Sequence, residues 1–157
     1  MNLEEKIDQI IYDENIKYGE VYFEVVRGWY HFEKRGTVIL INNQLETSIE
    51  RCFVKCHELG HHFMGTSENV LNESVSYREQ IAIDRDEYRA NRWATEWLMP
   101  IEKFISAYEN GVNTPLDLAN YMSVPLDELC KGIDIYNQAL GSQIVRGQYI
   151  ITWNPFN

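Results

Sequence analysis

The sequence predicts an α+β fold, in which a small antiparallel sheet packs beside a helical bundle. Its β-branched and aromatic runs lie early in the chain, at residues 21–26, 28–36 and 37–41, and are broken at glycines. Apolar residues recur at helical spacing through most of the remaining chain. The length of 157 residues, 45% of them hydrophobic, suits one domain and leaves no room for two full ones.

The N-terminal segment has the pattern of an amphipathic helix that starts after Asn2, a candidate N-cap. Its apolar residues at helical spacing are Leu3, Ile7, Ile10 and Ile11. We expect this helix to end near residues 17–19, where Gly19 can close the C-terminus. Two or three strands should follow, with a turn around residues 34–36.

A capping box predicts the start of the next helix. Thr47 is followed three positions later by Glu50, and the helix should run from there to about Met64. The stripe expected to face the core contains Ile49, Cys52, Phe53, Cys56, Leu59, Gly60 and Phe63. Cys52 and Cys56 are one helical turn apart, and their place on this stripe indicates core packing rather than metal binding.

A second long helix is predicted after a polar segment at residues 65–75, which has the composition of a loop. Ser76 and Glu79 repeat the capping pattern. One face of this helix carries Ile83, Ala90, Trp93, Ala94, Trp97 and Leu98.

Prolines mark the boundaries of shorter helices in the last third of the chain. Pro100 marks a break before a helix over residues 101–108, and Pro115 and Pro125 open two more. The apolar tail at residues 147–156 should contain an extended strand and a turn. We expect this tail either to add a strand to the small sheet or to contact a partner.

Composition and charge exclude several classes of function. The net charge of -10 repels polyphosphate, which disfavours nucleic acid as the main ligand. No apolar run approaches the roughly 20 residues that cross a bilayer, and the acidic N-terminus does not resemble a signal peptide. Three cysteines form an odd and sparse set that is typical of reduced thiols, so we expect a cytoplasmic location without membrane partners.

The segment His57-Glu58-Leu59-Gly60-His61 is an HExxH motif in the middle of a predicted helix. Its two histidines lie one turn apart on one helix face, so both imidazoles can reach a single Zn²⁺ ion. Glu58 then lies beside the ion, where it can take a proton from the attacking water and pass it to the leaving amine. The alternative is a pair of ordinary helix histidines.

A catalytic zinc site needs a third protein ligand, and Glu87 on the second long helix is the best candidate. It lies three residues before Ala90, on the apolar face, where a carboxylate is costly to bury without a cation. Asp84 and Asp86 are the rival ligands. Glu87 could instead pair with an arginine of its own helix as a surface charge.

The HELGH helix, followed by EYRANRWATEWLMP, resembles the ImmA/IrrE family of zinc metallopeptidases. The resemblance covers about residues 20–140. It implies His57, His61 and Glu87 as ligands of one Zn²⁺ ion and Glu58 as general base. One departure is Gly65, where many members have a further histidine. A second is Trp93, which replaces the commoner Phe.

The resemblance also implies a function and a domain plan. The family's best-known members cleave helix-turn-helix repressors, so we expect a zinc-dependent endopeptidase of a phage or mobile element with such a repressor as substrate. The rival hypothesis is a non-catalytic, zinc-containing antirepressor or regulatory binding module.

We expect one metallopeptidase domain over residues 1–157, with a core at about 20–110, a helical part at about 112–140 and an extended tail at 141–157. The oligomeric state stays open.

Three other features have weaker functional interpretations. His62 adjoins the motif but is one residue off its face, and His31 lies in the aromatic hairpin, so neither is expected to bind the ion. Residues 116–136 have helix–turn–helix rhythm, but the second helix carries Asp127 and Glu128 where phosphate contact needs cations. A packing unit or a substrate-docking surface is the favoured interpretation.

Overall fold

The computed structural model describes residues 1–65 and 76–153. Within these ranges it contains six helices and two small sheets, with the helices and strands in separate runs along the chain, which confirms the α+β class. The elements are α1 (Leu3–Asp13), β1 (Lys17–Val21), β2 (Gly28–Glu33), β3 (Gly36–Asn42), α2 (Ser48–Met64), α3 (Tyr77–Leu98), α4 (Ile101–Glu109), α5 (Pro115–Met122), α6 (Leu126–Leu140), β4 (Gln143–Arg146) and β5 (Tyr149–Thr152). The chain divides into two compact units, residues 1–94 and 95–157, and the boundary lies inside α3. That the whole chain is one metallopeptidase domain stays a prediction.

Helix α1 begins as expected and ends earlier than expected. Asn2 and Glu5 form a reciprocal capping box at its start. The helix stops at Asp13, and Asn15 then adopts a left-handed φ of 53°. The expected end near residues 17–19 is therefore wrong, because those residues pair with β3 and so belong to strand β1.

The three-stranded sheet has the order β1-β3-β2 and is mixed rather than wholly antiparallel. β2 and β3 form the expected antiparallel hairpin around residues 34–36, but β1 pairs with β3 in parallel. β3 is thus the central strand, parallel to β1 on one side and antiparallel to β2 on the other. The strand expected at 21–26 is shifted, because Val21 is the last residue of β1.

Helix α2 is buried on most of its surface, because it contacts β2, β3 and α1. Its capping box forms as predicted between Thr47 and Glu50, and it ends at Met64. Phe63 departs from the predicted core stripe, since it is 40% exposed and stacks on Trp93. Two polar residues of α2, Glu58 and His61, are buried as well.

A buried cation joins α1 to α2, and no pattern in the sequence predicted it. The Nζ atom of Lys55 lies 2.8 Å from an Asp8 oxygen and 3.3 Å from a Glu4 oxygen. It also lies 4.7 Å from the centre of the Tyr18 ring. These contacts explain how a lysine is tolerated on a buried helix face.

The second unit contains the helices that the prolines predicted. Pro100 precedes α4, Thr114 caps α5 ahead of Pro115, and Pro125 precedes α6. Thus α5 and α6 form the predicted helix–turn–helix, and the Lys103 ammonium donates to backbone carbonyls of Leu98 and Met122.

The tail pairs locally rather than with the first sheet. β4 and β5 form a separate two-stranded antiparallel sheet, so the first of the two alternatives for the tail, an added strand in the small sheet, is wrong. The second alternative, contact with a partner, stays a prediction. Trp153 follows β5 and stacks on Tyr136, whose hydroxyl donates to the Met99 carbonyl. Residues 154–156 of the predicted tail and 66–75 of the predicted loop lie outside the described residues. Within the described ranges, no helix combines the length and apolar character that crossing a bilayer requires.

Candidate metal centre

Three side chains from two helices converge in the first unit. His57 and His61 come from α2 and Glu87 comes from α3. The two Nε2 atoms lie 3.2 Å apart, and the Glu87 carboxylate oxygens lie 3.3 Å from Nε2 of His57 and 3.2 Å from Nε2 of His61. In the described parts of the chain, no other group of three or more His, Cys, Asp or Glu side chains lies close enough together to hold one metal ion.

The spacing of the three donors fits a single tetrahedral ion. Ligand bonds of about 2.0–2.1 Å in a tetrahedron place neighbouring ligand atoms about 3.3 Å apart. The observed separations are 3.2, 3.2 and 3.3 Å. Two imidazoles and one carboxylate are donors that Zn²⁺ accepts, and they leave one tetrahedral position for water or substrate. The cluster can therefore hold a divalent metal ion.

A close approach of the two helix backbones brings the donors together. Gly60 of α2 faces Ala90 of α3, and a Cβ atom on Gly60 would lie 2.5 Å from the Ala90 carbonyl oxygen. Real Cβ atoms do not approach so closely. Small residues at both positions thus allow α3 to pass near enough for Glu87, one turn before Ala90, to reach both imidazoles.

The second ring nitrogen of each histidine has a different environment. Nδ1 of His57 lies 3.0 Å from the Asn91 side-chain oxygen. Nδ1 of His61 is buried and has no hydrogen-bond partner among the described residues. Sequence reasoning missed Asn91, although its position four residues after Glu87 on the same helix was a usable signal.

Glu58 is buried against the edge strand β2. A Cβ atom on Gly28 would collide with the Glu58 carboxylate oxygen and with Val54, so a larger residue where β2 begins would displace this carboxylate. The pKa of Glu58 is raised to about 7, chiefly by burial. Nearby His61 lowers this pKa in part, and the Glu87 charge raises it. A pKa in this range suits a group that must both accept and release a proton near neutrality. The role of Gly28 also escaped sequence reasoning.

Glu87 is more exposed than its sequence position suggested. Its side chain is 47% exposed, whereas the neighbouring Asp86, one of the rival ligands, is 7% exposed. The expected burial of Glu87 among apolar neighbours was therefore wrong, although its carboxylate does meet the two imidazoles. Hydrogen bonds with His57 and His61 hold the pKa of Glu87 well below its usual range. Neither rival ligand belongs to the cluster found among the described residues. Asp84 accepts a hydrogen bond from Gln80 instead.

The remaining histidines lie outside the cluster. His62 contacts the Tyr30 hydroxyl through Nδ1 and Glu14 through Nε2, each at 3.2 Å. Tyr30 itself stacks at 6.3 Å from His61. His31 stacks on Trp29 and pairs with Glu33.

The cysteines of α2 also stay outside the cluster. Cys52 and Cys56 are buried, as predicted for core packing, whereas Cys130 is exposed.

Comparisons with known proteins found a matching family model and a relative from a phage. The family model of the IrrE N-terminal-like domain, Peptidase M78, matches residues 16–134, a range that contains all three donors. The chain is also 34% identical over 102 residues to "Uncharacterized immunity region protein 2" of Bacillus phage phi105. That alignment covers 65% of this chain and 62% of the phage protein. The chain thus spans less than two thirds of that relative's length.

Proposed function

Because the chain belongs to the IrrE N-terminal-like domain family, Peptidase M78, we propose that it is a zinc-dependent endopeptidase. The observation that carries the proposal is the cluster of His57, His61 and Glu87, with the buried carboxylate of Glu58 on the same helix as the two histidines. A metal site used only for structure would need no such carboxylate.

The three clustered residues would hold the metal ion. Each histidine offers Nε2, and Glu87 offers a carboxylate oxygen to the same point. Zn²⁺ bound there would supply Lewis-acid activation of water and of the substrate carbonyl. The donor set of two imidazoles and one carboxylate also suits Fe²⁺ or Mn²⁺, so the choice of zinc rests on the family resemblance and on the tetrahedral spacing.

Glu58 would move the proton that peptide hydrolysis requires. Its carboxylate takes a proton from the attacking water while the water oxygen forms a bond to the peptide carbonyl carbon. When the carbon–nitrogen bond breaks, the same carboxyl group gives that proton to the departing amine.

The substrate we propose is a helix-turn-helix transcriptional repressor. Two findings support this choice: the family resemblance, whose known members cleave such repressors, and the relative named as a phage immunity region protein. The acidic chain, with a net charge of -10, is also suited to approach a basic DNA-binding protein.

The test is cleavage of a helix-turn-helix repressor encoded beside this protein, with zinc-loaded wild type, Glu58→Gln and Glu46→Gln. Glu46 is an exposed carboxylate outside the cluster, so Glu46→Gln serves as the matched control. We expect fragments from wild type and Glu46→Gln, none from Glu58→Gln, and none from wild type after chelation. Equal zinc content in all three must be verified by elemental analysis.

Two outcomes would contradict the proposal. Cleavage retained by zinc-loaded Glu58→Gln would reject the role of Glu58 as the general base. Stable co-elution of the wild type with the repressor, without fragments under any condition, would instead support a regulatory binding module.

A further inference from the structure

Helix α3 presents two side chains to the two nitrogens of one imidazole. Glu87 lies 3.3 Å from Nε2 of His57, and Asn91, one helical turn later, lies 3.0 Å from Nδ1 of the same ring. His57 is therefore bracketed by a single rigid helix. No comparable contact holds the other histidine, because Nδ1 of His61 is buried without a partner among the described residues.

The chemistry of the Asn91 contact fixes the tautomer of His57. The atom that faces Nδ1 is the amide oxygen, which can only accept a hydrogen bond. Nδ1 must then carry the proton, and the lone pair of the ring is on Nε2, the atom that faces Glu87 and His61. An amide turned the other way would donate to Nδ1 and leave the proton on Nε2, where it would block a metal ion.

We propose that Asn91 is a positioning residue of the metal centre, which holds the His57 ring in the tautomer and orientation that a metal ion requires. This inference rests on the proposed function, because it presumes that the cluster binds metal. The Asn91 side chain acts through His57, since among the described residues it forms no hydrogen bond with Glu58, His61 or Glu87. Outer partners of ligating histidines typically contribute 10–100-fold to metal affinity.

The difference in burial between the two histidines explains why only one needs such a partner. The side chain of His57 is 17% exposed and that of His61 is 4% exposed. Packing restricts the His61 ring, which lies close to Tyr30. The His57 ring lies nearer the solvent, so a hydrogen bond must supply the restriction that packing does not.

The experiment compares zinc affinity, measured by competition with a chromophoric chelator, in wild type, Asn91→Ala, Asn91→Asp and Arg89→Ala. We expect Asn91→Ala to bind zinc roughly 10–100-fold more weakly. Asn91→Asp should stay within a few-fold of wild type or bind more tightly, because its carboxylate keeps the acceptor. Arg89→Ala should match wild type, since Arg89 is an exposed residue of the same helix.

A second measurement separates positioning from general damage to the fold. In zinc-loaded, ¹⁵N-labelled protein, wild type and Asn91→Asp should show a His57 Nδ1 proton protected from solvent exchange, and Asn91→Ala should lose that protection. Thermal unfolding of the metal-free proteins verifies that each variant is folded.

The outcomes distinguish this inference from the proposed function. Zinc affinity of Asn91→Ala equal to that of wild type would overturn the role of Asn91 and leave the peptidase proposal standing. Affinity of Asn91→Asp as weak as that of Asn91→Ala would also overturn it, because the acceptor would then not be the cause. A wild-type protein that takes up no divalent ion would defeat the proposed function itself.

Discussion

At Gly60 and Ala90 the backbones of α2 and α3 approach each other closely. A Cβ atom on Gly60 would lie 2.5 Å from the carbonyl oxygen and 2.9 Å from the Cα atom of Ala90. The obstacle is backbone rather than a flexible side chain, so it cannot rotate away. The distance between the two helices, and with it the reach of Glu87 to the imidazoles, therefore depends on the missing side chain of Gly60.

Gly60→Ala should weaken zinc binding although alanine is the better helix former. The propensity gain of about 1 kcal/mol is opposed by overpacking, which typically costs about 1–3 kcal/mol. We expect lower zinc affinity and a lower melting temperature of the zinc-loaded protein, measured by chelator competition and circular dichroism. Gly132→Ala in α6 is the control, because its Cβ would meet the flexible end of Met99. Equal zinc affinity in both variants would contradict this role of Gly60.

Gly28→Ala should lower kcat of the proposed peptidase while zinc binding is retained. The added Cβ would push against the Glu58 carboxylate and Val54, so the proton-transfer group would be displaced. The three metal donors are not in its path. Gly19→Ala on β1 is the matched control, since its Cβ would lie 3.1 Å from the Leu40 side chain. Unchanged kcat in Gly28→Ala, or zinc loss as large as the loss of activity, would show that Gly28 does not act through Glu58.

The pKa of Glu58 predicts a pH dependence of stability in the metal-free protein. Burial raises this pKa from 4.5 to about 7, so between these values the native state keeps a proton that the unfolded chain has released. The buried carboxyl group therefore costs stability as the pH rises, by about 3 kcal/mol in total. Glu58→Gln is neutral throughout and lacks this cost.

We expect metal-free Glu58→Gln to be more stable than metal-free wild type at pH 8, by roughly 1–3 kcal/mol. The difference should shrink towards zero below about pH 4.5, where both side chains are uncharged. Urea unfolding at several pH values in the presence of a chelator measures this difference, and comparison of the two proteins cancels the titration of groups that do not interact with Glu58. A difference that stays constant with pH would show that the buried charge of Glu58 is not its cause.

The local signals of the sequence predicted the framework of the site. The capping box of Thr47 and Glu50 located α2, and the i, i+4 spacing of His57 and His61 placed both imidazoles on one face. Both inferences depend only on helix geometry within a few residues. The start of α3 near Ser76 was predictable for the same reason.

What the sequence did not reveal depends on contacts between distant segments. β1 is a strand because it pairs with β3. Its five residues show no clear alternation of buried and exposed side chains, so the sequence shows no strand signal there. The partial exposure of Glu87 and the contact of Asn91 with His57 depend on how α3 crosses α2. A helical pattern predicts the face of each residue but not the distance to the neighbouring helix.

The buried cation between α1 and α2 leads to a prediction that is independent of the metal centre. Lys55 is buried, yet its partners Glu4 and Asp8 are 40% and 52% exposed, so water can solvate them when the cation is removed. The aliphatic part of the Lys55 side chain, in contrast, fills buried space that no neighbouring group would fill in its absence. Lys55→Met keeps the stem and should change the free energy of unfolding by less than about 1.5 kcal/mol. Lys55→Ala leaves a cavity and should cost about 2–4 kcal/mol.

Urea unfolding of the two variants, with zinc affinity measured alongside, tests whether packing or charge dominates at Lys55. Packing predicts that the methionine variant stays close to wild type and that both variants bind zinc normally, since none of the three donors contacts this ion cluster. If charge dominates, both variants lose a similar amount of about 3–5 kcal/mol, as happens when one partner of a fully buried pair is removed. The half-exposure of both carboxylates favours the first result, because the charges left behind are not buried.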